Sequence, residues 1–302
     1  SRGRLSRFTV VGYVELEPVA RAVTDARIVP MPNDLRAYAV SYAIDEIVVA
    51  LEDRRGQLPL DDLVAARLEG IRVTDYQLFA EQARGAVDLD ALSPSWFFDR
   101  GGFRTTRVHL MVKRGIDLAA SVLLLAVTLP VLAATALAIK LESPGPVFYR
   151  QERVGQGGRP FMLFKFRSMR QDAEADGTPQ WAQQADPRVT RIGTLIRKTR
   201  IDEIPQAINV LRGDMSFVGP RPERPFFVDE LGAQIPFYRE RHSVKPGITG
   251  WAQLNYPYGA SVEDARQKLQ YDLFYIKYYT VMLDIAIGLQ TVRVVLWNAG
   301  AR

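Results

Sequence analysis

The chain of 302 residues predicts an α/β N-terminal module followed by a mixed α+β, membrane-associated domain with a re-entrant membrane helix hairpin. Three observations carry this prediction. Short β-branched runs alternate with helix-like patterns as far as about Leu92, an uncharged run follows at Leu118–Ile139, and Pro130 sits near the centre of that run. The boundaries read as a module over 1–92, a linker over 93–112 and a second domain over 113–302, with the re-entrant helix over 113–140.

Within the module, Phe8–Val14, Glu46–Leu51 and Ile71–Tyr76 read as strands, and Asp34–Ala43 and Leu60–Glu69 as helices. That alternation indicates a Rossmann-like α/β arrangement. Glu46-Ile47-Val48-Val49-Ala50-Leu51 is nearly continuous in apolar residues, as suits a parallel strand covered on both faces. No G-x-G-x-x-G occurs here, so the turn that cradles a dinucleotide is missing and a structural or regulatory role is expected. The first strand arrives abruptly at Phe8, so the module's opening elements are expected upstream.

Ser93-Pro94-Ser95 and Gly101-Gly102 mark the linker. Leu118–Ile139 is then long enough to cross a bilayer, which takes roughly 20 residues. Two features favour a hairpin that enters and leaves on one face. Pro130 removes a backbone hydrogen bond and crowds the preceding turn. Lys113, Arg114 and Lys140 flank both ends, whereas a spanning helix concentrates its cations on the cytoplasmic side. A kinked span is the alternative, since prolines do occur in membrane helices. Further on, Gln171–Asp186 reads as a polar loop, and Phe274–Trp297 as an amphipathic helix lying in an interface.

Composition narrows the chemistry. There is no cysteine, which excludes disulfides, thiol nucleophiles and thiolate metal sites and is compatible with a reducing cytoplasm. The two histidines, His109 and His242, are too few for a His-rich zinc site. Any acid, base or nucleophile is therefore expected to be a carboxylate. Residues 1–110 hold 14 Lys and Arg against 16 Asp and Glu, leaving 25 cations and 18 acids for the rest. A basic second part can meet nucleic acid, anionic lipid or a phosphorylated substrate. No helix-turn-helix, zinc finger or ribonucleoprotein signature is present, so nucleic acid is not an expected partner. The opening Ser1-Arg2-Gly3-Arg4 has no apolar h-region, so no signal peptide is expected.

The densest reactive cluster is Arg197-Lys198-Thr199-Arg200-Ile201-Asp202-Glu203-Ile204-Pro205-Gln206. Adjacent residues on a helix point about 100° apart, so the acidic pair suits two different roles rather than a facing dyad. One carboxylate can be a nucleophile or metal ligand while the other holds Mg²⁺ or orients an attacking group. Read alone, the pair is also compatible with a solvated helix start. A second cluster, Gly213-Asp214-Met215-Ser216-Phe217-Val218-Gly219-Pro220-Arg221-Pro222-Glu223-Arg224-Pro225, is stiffened by its prolines, which fix Arg221 and Arg224 before a ligand arrives. Arginine's fork matches phosphate oxygens. In Phe164-Lys165-Phe166-Arg167-Ser168, the two-residue strand period puts Lys165 and Arg167 on one side.

The order of these pieces is more specific than any of them. A Pro-broken apolar run is followed by Gln151-Glu152-Arg153-Val154-Gly155, Lys165-Phe166-Arg167-Ser168-Met169, the Arg197–Gln206 cluster, the Gly213–Pro222 loop and Lys245-Pro246-Gly247-Ile248-Thr249-Gly250-Trp251. Over about Lys113–Trp297 the chain resembles the bacterial sugar transferases, the monotopic polyprenyl-phosphate phosphoglycosyl transferases. The segment before it resembles the cytoplasmic module of the longer members.

The resemblance implies a catalytic pair at Asp202 and Glu203, which would also hold Mg²⁺, and transfer of a sugar 1-phosphate from a UDP-sugar to polyprenyl phosphate through an aspartyl phosphosugar intermediate, releasing UMP. That reaction would begin exopolysaccharide or other glycoconjugate assembly at the cytoplasmic face of the bacterial inner membrane. Arg197 and Arg221 match family arginines expected to contact phosphate, and Lys165, Arg167, Arg200 and Arg224 join them as expected substrate-binding residues. UDP-sugar, polyprenyl phosphate and membrane lipid are the expected partners, with a homodimer allowed. The chain departs from the pattern at the bend, where many members have Ser-Pro and this one has Leu129-Pro130, with Thr128 one residue earlier. The alternative to an enzyme is a membrane-anchored scaffold of polysaccharide assembly.

Overall fold

The computed structural model describes residues 8–15, 28–51, 58–98, 102–103, 106–173, 186–257 and 259–297. They divide into two compact units, Ser1–Gly85 and Ala86–Arg302.

The first unit is α/β. Strands β1 (Tyr13–Glu15) and β2 (Ile28–Pro30) pair in parallel, as do β3 (Glu46–Val49) and β4 (Arg72–Asp75). Helix α1 (Leu35–Ser41) starts where the Asp34 carboxylate accepts from the Ala37 amide at 2.8 Å. Helix α2 (Leu60–Leu68) makes the crossover between β3 and β4, and Ala39, Ala66 and Ile71 pack at the centre. Asp75 caps a further helix, α3 (Tyr76–Arg84), which ends at left-handed Gly85. The strand expected over Phe8–Val14 is shorter, at Tyr13–Glu15, and β3 is only half-buried along its length rather than covered on both faces.

The second unit builds its core from Val87, Trp96, Val218, Leu231, Leu269, Leu273 and Ile287, among others. Residues 93–112, read from sequence as a linker, contribute Trp96 to this core. The Phe103 ring packs on Trp96, and its amide donates to the Lys277 carbonyl at 2.9 Å. The polar stretch over 171–186 lies mostly outside the described residues.

The apolar run lies in one helix, α4 (Arg107–Glu142). Among the described residues it is the only helix long and apolar enough to cross a membrane. The sequence predicts a sharp bend at Pro130, and the proline lies inside one helix that continues through it, because losing one backbone bond leaves its neighbours in place. The Thr128 hydroxyl donates to the Leu124 carbonyl at 2.6 Å, a back-bond to the preceding turn. It therefore does not reach the carbonyl of Ala126, four residues before the proline, whose usual donor the proline lacks.

Both ends of α4 are pinned on the second unit. At the first end, Arg114 donates to the carbonyls of Val210 and Leu211, and Lys113 pairs with Asp284 at 2.7 Å. One turn on, the Asp117 carboxylate accepts from the Phe217 amide at 2.9 Å and the Ser216 hydroxyl at 3.1 Å. At the other end, Ile139 packs on Phe166 and Ile196, and Glu142 accepts from the Ile192 amide. Between these anchors, Val122, Leu123, Val127 and Leu129 are exposed.

The rest of the unit positions the site. Strands β5 (Phe148–Val154) and β6 (Pro160–Phe166) form an antiparallel hairpin. Helix α5 (Arg191–Lys198), a 3₁₀ turn (Ile201–Gln206) and α6 (Ala207–Arg212) follow. Strand β7 (Ser216–Val218) pairs in parallel with β8 (Gly247–Thr249). Helices α7 (Pro225–Gln234), α8 (Trp251–Asn255), α9 (Val262–Lys277) and α10 (Val281–Trp297) complete the unit. The amphipathic stretch expected over Phe274–Trp297 is thus split between the end of α9 and α10.

Candidate active site

The acidic pair sits on the 3₁₀ turn that leaves α5. Arg200, just before it, has a left-handed backbone with φ of 60°. A non-glycine residue there carries strain, so the surroundings must hold it. Successive residues of a 3₁₀ turn diverge by about 120°, so the two carboxylates meet different surroundings. Both are buried, at 7% exposed each, on the wall of a cavity of about 840 Å³.

Glu203 is neutralised. Its Oε1 accepts from Arg221 at 2.7 Å and from Lys165 at 3.2 Å. Burial opposes its charge, but the Arg221 and Lys165 cations prevail and hold the carboxyl well below the ordinary range. Asp202 has no such partner, and its Oδ1 is buried without a hydrogen bond. Burial first, and the Glu203 charge second, push its carboxyl up to about 6. A buried carboxylate oxygen with no donor costs free energy unless a ligand or ion completes it.

The cations are held by a frame. Asn209 on α6 grips the β6 backbone on either side of Leu163: its Oδ1 accepts from the Phe164 amide at 3.0 Å, and its Nδ2 donates to the Met162 carbonyl at 2.7 Å. Lys165 is thereby fixed opposite Glu203. The loop carrying Arg221 is held twice, by Arg153 donating to the Pro222 carbonyl at 3.1 Å and by Arg241 donating to the Arg221 carbonyl at 3.0 Å. Below it, the Gly219 amide donates to the Thr249 carbonyl, and the Gly247 amide to the Pro220 carbonyl. A Cβ on Gly247 would overlap the Gly219 backbone nitrogen, so glycine is required for this approach.

The sequence model of the bacterial sugar transferase family matches residues 108–298, more than half of the chain. The chain belongs to the bacterial sugar transferase family. It is 45% identical over 240 residues to a UDP-N-acetylgalactosamine-undecaprenyl-phosphate N-acetylgalactosaminephosphotransferase of Aeromonas hydrophila, covering 80% of this chain and 56% of that protein. It is 46% identical over 187 residues to a UDP-glucose:undecaprenyl-phosphate glucose-1-phosphate transferase of Escherichia coli, covering 61% and 40%. It is 39% identical over 277 residues to an undecaprenyl-phosphate glucose phosphotransferase of Komagataeibacter xylinus, covering 85% and 50%. The chain thus spans about half the length of these relatives.

Lys165, Arg197, Arg200, Arg221 and Arg224 all line the cavity with the acidic pair. Arg167 lines it too, but its guanidinium is engaged. It donates to the carbonyls of Pro144 and Ser143 and to the Ser143 hydroxyl, bracing the exit of α4. Pro130 does not line the cavity and belongs to the exposed part of α4.

Several residues that line or frame the cavity carry little sequence signal. Asp272 and Arg241 form a buried pair, with two bonds from the guanidinium to Asp272 Oδ2 at 3.1 and 2.8 Å and a third to the Tyr238 hydroxyl at 2.8 Å. Their signal was present in part. Asp272 sits among Leu269, Leu273 and Ile276 at helical spacing, an acid in a core stripe, which points to a buried partner. Arg241, in Tyr238-Arg239-Glu240-Arg241-His242, reads like any solvated charged stretch. Asn209 carries no sequence signal that separates it from a surface amide.

Proposed function

We propose that this chain transfers a sugar 1-phosphate from a UDP-sugar to polyprenyl phosphate, releasing UMP and starting the assembly of a glycoconjugate. The observation that carries the reading is the inequality of the two carboxylates. Glu203 is occupied by Lys165 and Arg221, while Asp202 lines a cation-rich cavity large enough for a nucleotide sugar and keeps one carboxylate oxygen, Oδ1, buried without a partner. The names of the relatives, which carry undecaprenyl phosphate with UDP-sugars or glucose, support the same reaction.

Asp202 is the nucleophile. Its carboxylate oxygen bonds to the sugar-linked phosphorus as the bond from that phosphorus to the bridging oxygen breaks, and the bridging oxygen leaves with UMP. The polyprenyl phosphate oxygen then attacks the same phosphorus and frees Asp202. Arg221 and Lys165, held by Glu203, present fixed positive charge to the diphosphate as negative charge moves to the leaving group. Arg197, Arg200 and Arg224 orient the phosphates.

Mg²⁺ fits this donor set, because Asp202 Oδ1 lacks a partner and Mg²⁺ takes one or two carboxylates together with substrate phosphates. When bound, it supplies further neutralisation of the diphosphate.

The pinning of both ends of α4 on the same unit supports a helix that enters and leaves the inner membrane on its cytoplasmic face. Cysteines placed at Val112 and Glu142 are expected to react with an impermeant thiol reagent from the same side, and labelling from opposite sides would make α4 a span.

The reaction itself is tested by a screen of UDP-sugars with undecaprenyl phosphate, scoring UMP. One donor class is expected to turn over continuously with undecaprenyl phosphate and, without it, to release at most about one UMP per protein molecule. Because Asp202 must be ionised to attack and its carboxyl lies near 6, kcat/KM is expected to fall as pH drops through about 6. No UMP with any donor would leave the scaffold reading.

A further inference from the structure

The β5–β6 hairpin has two faces. On one, Tyr149, Gln151, Arg153, Leu163 and Lys165 line the cavity. On the other, Arg150 lies opposite Phe164, and Glu152 opposite Met162. The guanidinium carbons of Arg150 and of Arg212, at the end of α6, both sit over the Phe164 ring, 5.2 and 4.7 Å from its centre. Stacking on one ring pre-organises both forks and holds them close together despite their like charge. Neither is in an ion pair among the described residues, and both are exposed. Beyond Arg212, a Cβ on Gly213 would lie 3.7 Å from both Lys245 Nζ and the Arg114 guanidinium, so the cations continue. The one acid on this hairpin face is Glu152.

The position of this group says what it faces. Arg212 directly follows Val210 and Leu211, whose carbonyls hold Arg114 at the first foot of the apolar run. At the other foot, Phe148 stacks on Phe166, which packs on Ile139. The basic group therefore adjoins the first foot of α4, and the same hairpin reaches the second foot through Phe148; Phe148 and Met162 are exposed by 44% and 45%.

We infer that Arg150, Arg212 and Lys245, with Phe164 as the platform, form a site for the phosphates of anionic phospholipid headgroups at the membrane surface. The inference rests on the membrane placement of α4 and not on the reaction at Asp202. A guanidinium pair matches lipid phosphodiesters, the ring and Phe148 suit the interfacial zone, and a basic surface beside an inserted helix meets a leaflet of opposite charge.

The test uses the full chain in mixed micelles holding equal phosphatidylglycerol and phosphatidylcholine, with bound lipids counted by native mass spectrometry. Phosphatidylglycerol is expected to be enriched roughly tenfold over phosphatidylcholine, and Arg150→Gln with Arg212→Gln to bring the ratio towards one. Phe164→Leu, which keeps the charges and removes the platform, is expected to lower the ratio in part. UMP release by the double variant in detergent is expected to be unchanged, because neither arginine lines the cavity. Equal binding of the two lipids, enrichment that survives the double substitution, or binding of undecaprenyl phosphate or inorganic phosphate in place of phosphatidylglycerol would each overturn the inference.

Discussion

Asp202→Asn is expected to abolish UMP release, with a fall of roughly 10⁴-fold or more, the scale seen when a nucleophile is removed. The amide keeps the shape and cannot form the acyl phosphate. Glu203→Gln is expected to be severely impaired for a different reason. It leaves Lys165 and Arg221 without their counter-charge at 3.2 and 2.7 Å, so the two repel each other and lose their aim. Arg221→Ala removes one aimed cation and is expected to cost on the order of 2–4 kcal/mol of transition-state stabilisation. Initial rates of the three variants, each with a folded-state check by circular dichroism, separate these outcomes. Substantial turnover by Asp202→Asn would remove that residue from the chemistry.

The second large effect is on stability. Asp272, 2% exposed, receives two bonds from Arg241, 6% exposed, and Arg241 also donates to the Arg221 carbonyl. Removing one partner of such a pair leaves an uncompensated buried charge, so Asp272→Ala is expected to lose about 3–5 kcal/mol in denaturant unfolding. Replacing both, with Asp272→Leu and Arg241→Met, is expected to regain much of that stability, since apolar packing often matches a buried ion pair. Activity is not expected to return with it, because the Arg221 carbonyl still lacks its donor. Recovery of turnover along with stability in the double variant would show that the pair serves the fold alone.

How much of this was legible depends on what kind of signal each residue carries. Asp202, Glu203, Lys165 and Arg221 stand in runs whose order along the chain is specific, so the sequence brought them into one group before any geometry was known. Helices α1 and α2 follow from apolar spacing and from caps such as Asp34, and their limits fall within a few residues of those expected. The inequality of Asp202 and Glu203 was not legible. It depends on which carboxylate meets Lys165 and Arg221, and that is set by the 3₁₀ turn and by the left-handed Arg200. The role of Arg167 was obscured by the two-residue strand period, which places it beside Lys165 but says nothing of the Ser143 and Pro144 carbonyls that occupy it. The brace of Arg241 on Arg221 joins residues 20 apart through a backbone carbonyl, and a carbonyl has no sequence signature. Pro130 lies inside one continuous helix, so its local signal marks a place where a backbone bond is lost without marking a helix end.

The central claim is that Asp202 carries the sugar phosphate between donor and acceptor. Incubating the protein with Mg²⁺ and its UDP-sugar in the absence of polyprenyl phosphate, then measuring the intact mass, tests it most directly. The account predicts an added mass equal to one sugar phosphate, mapping to Asp202 and lost when polyprenyl phosphate is supplied. An unmodified mass, with kinetics in which UMP leaves only after both substrates are bound, would contradict it and replace the covalent route with direct transfer.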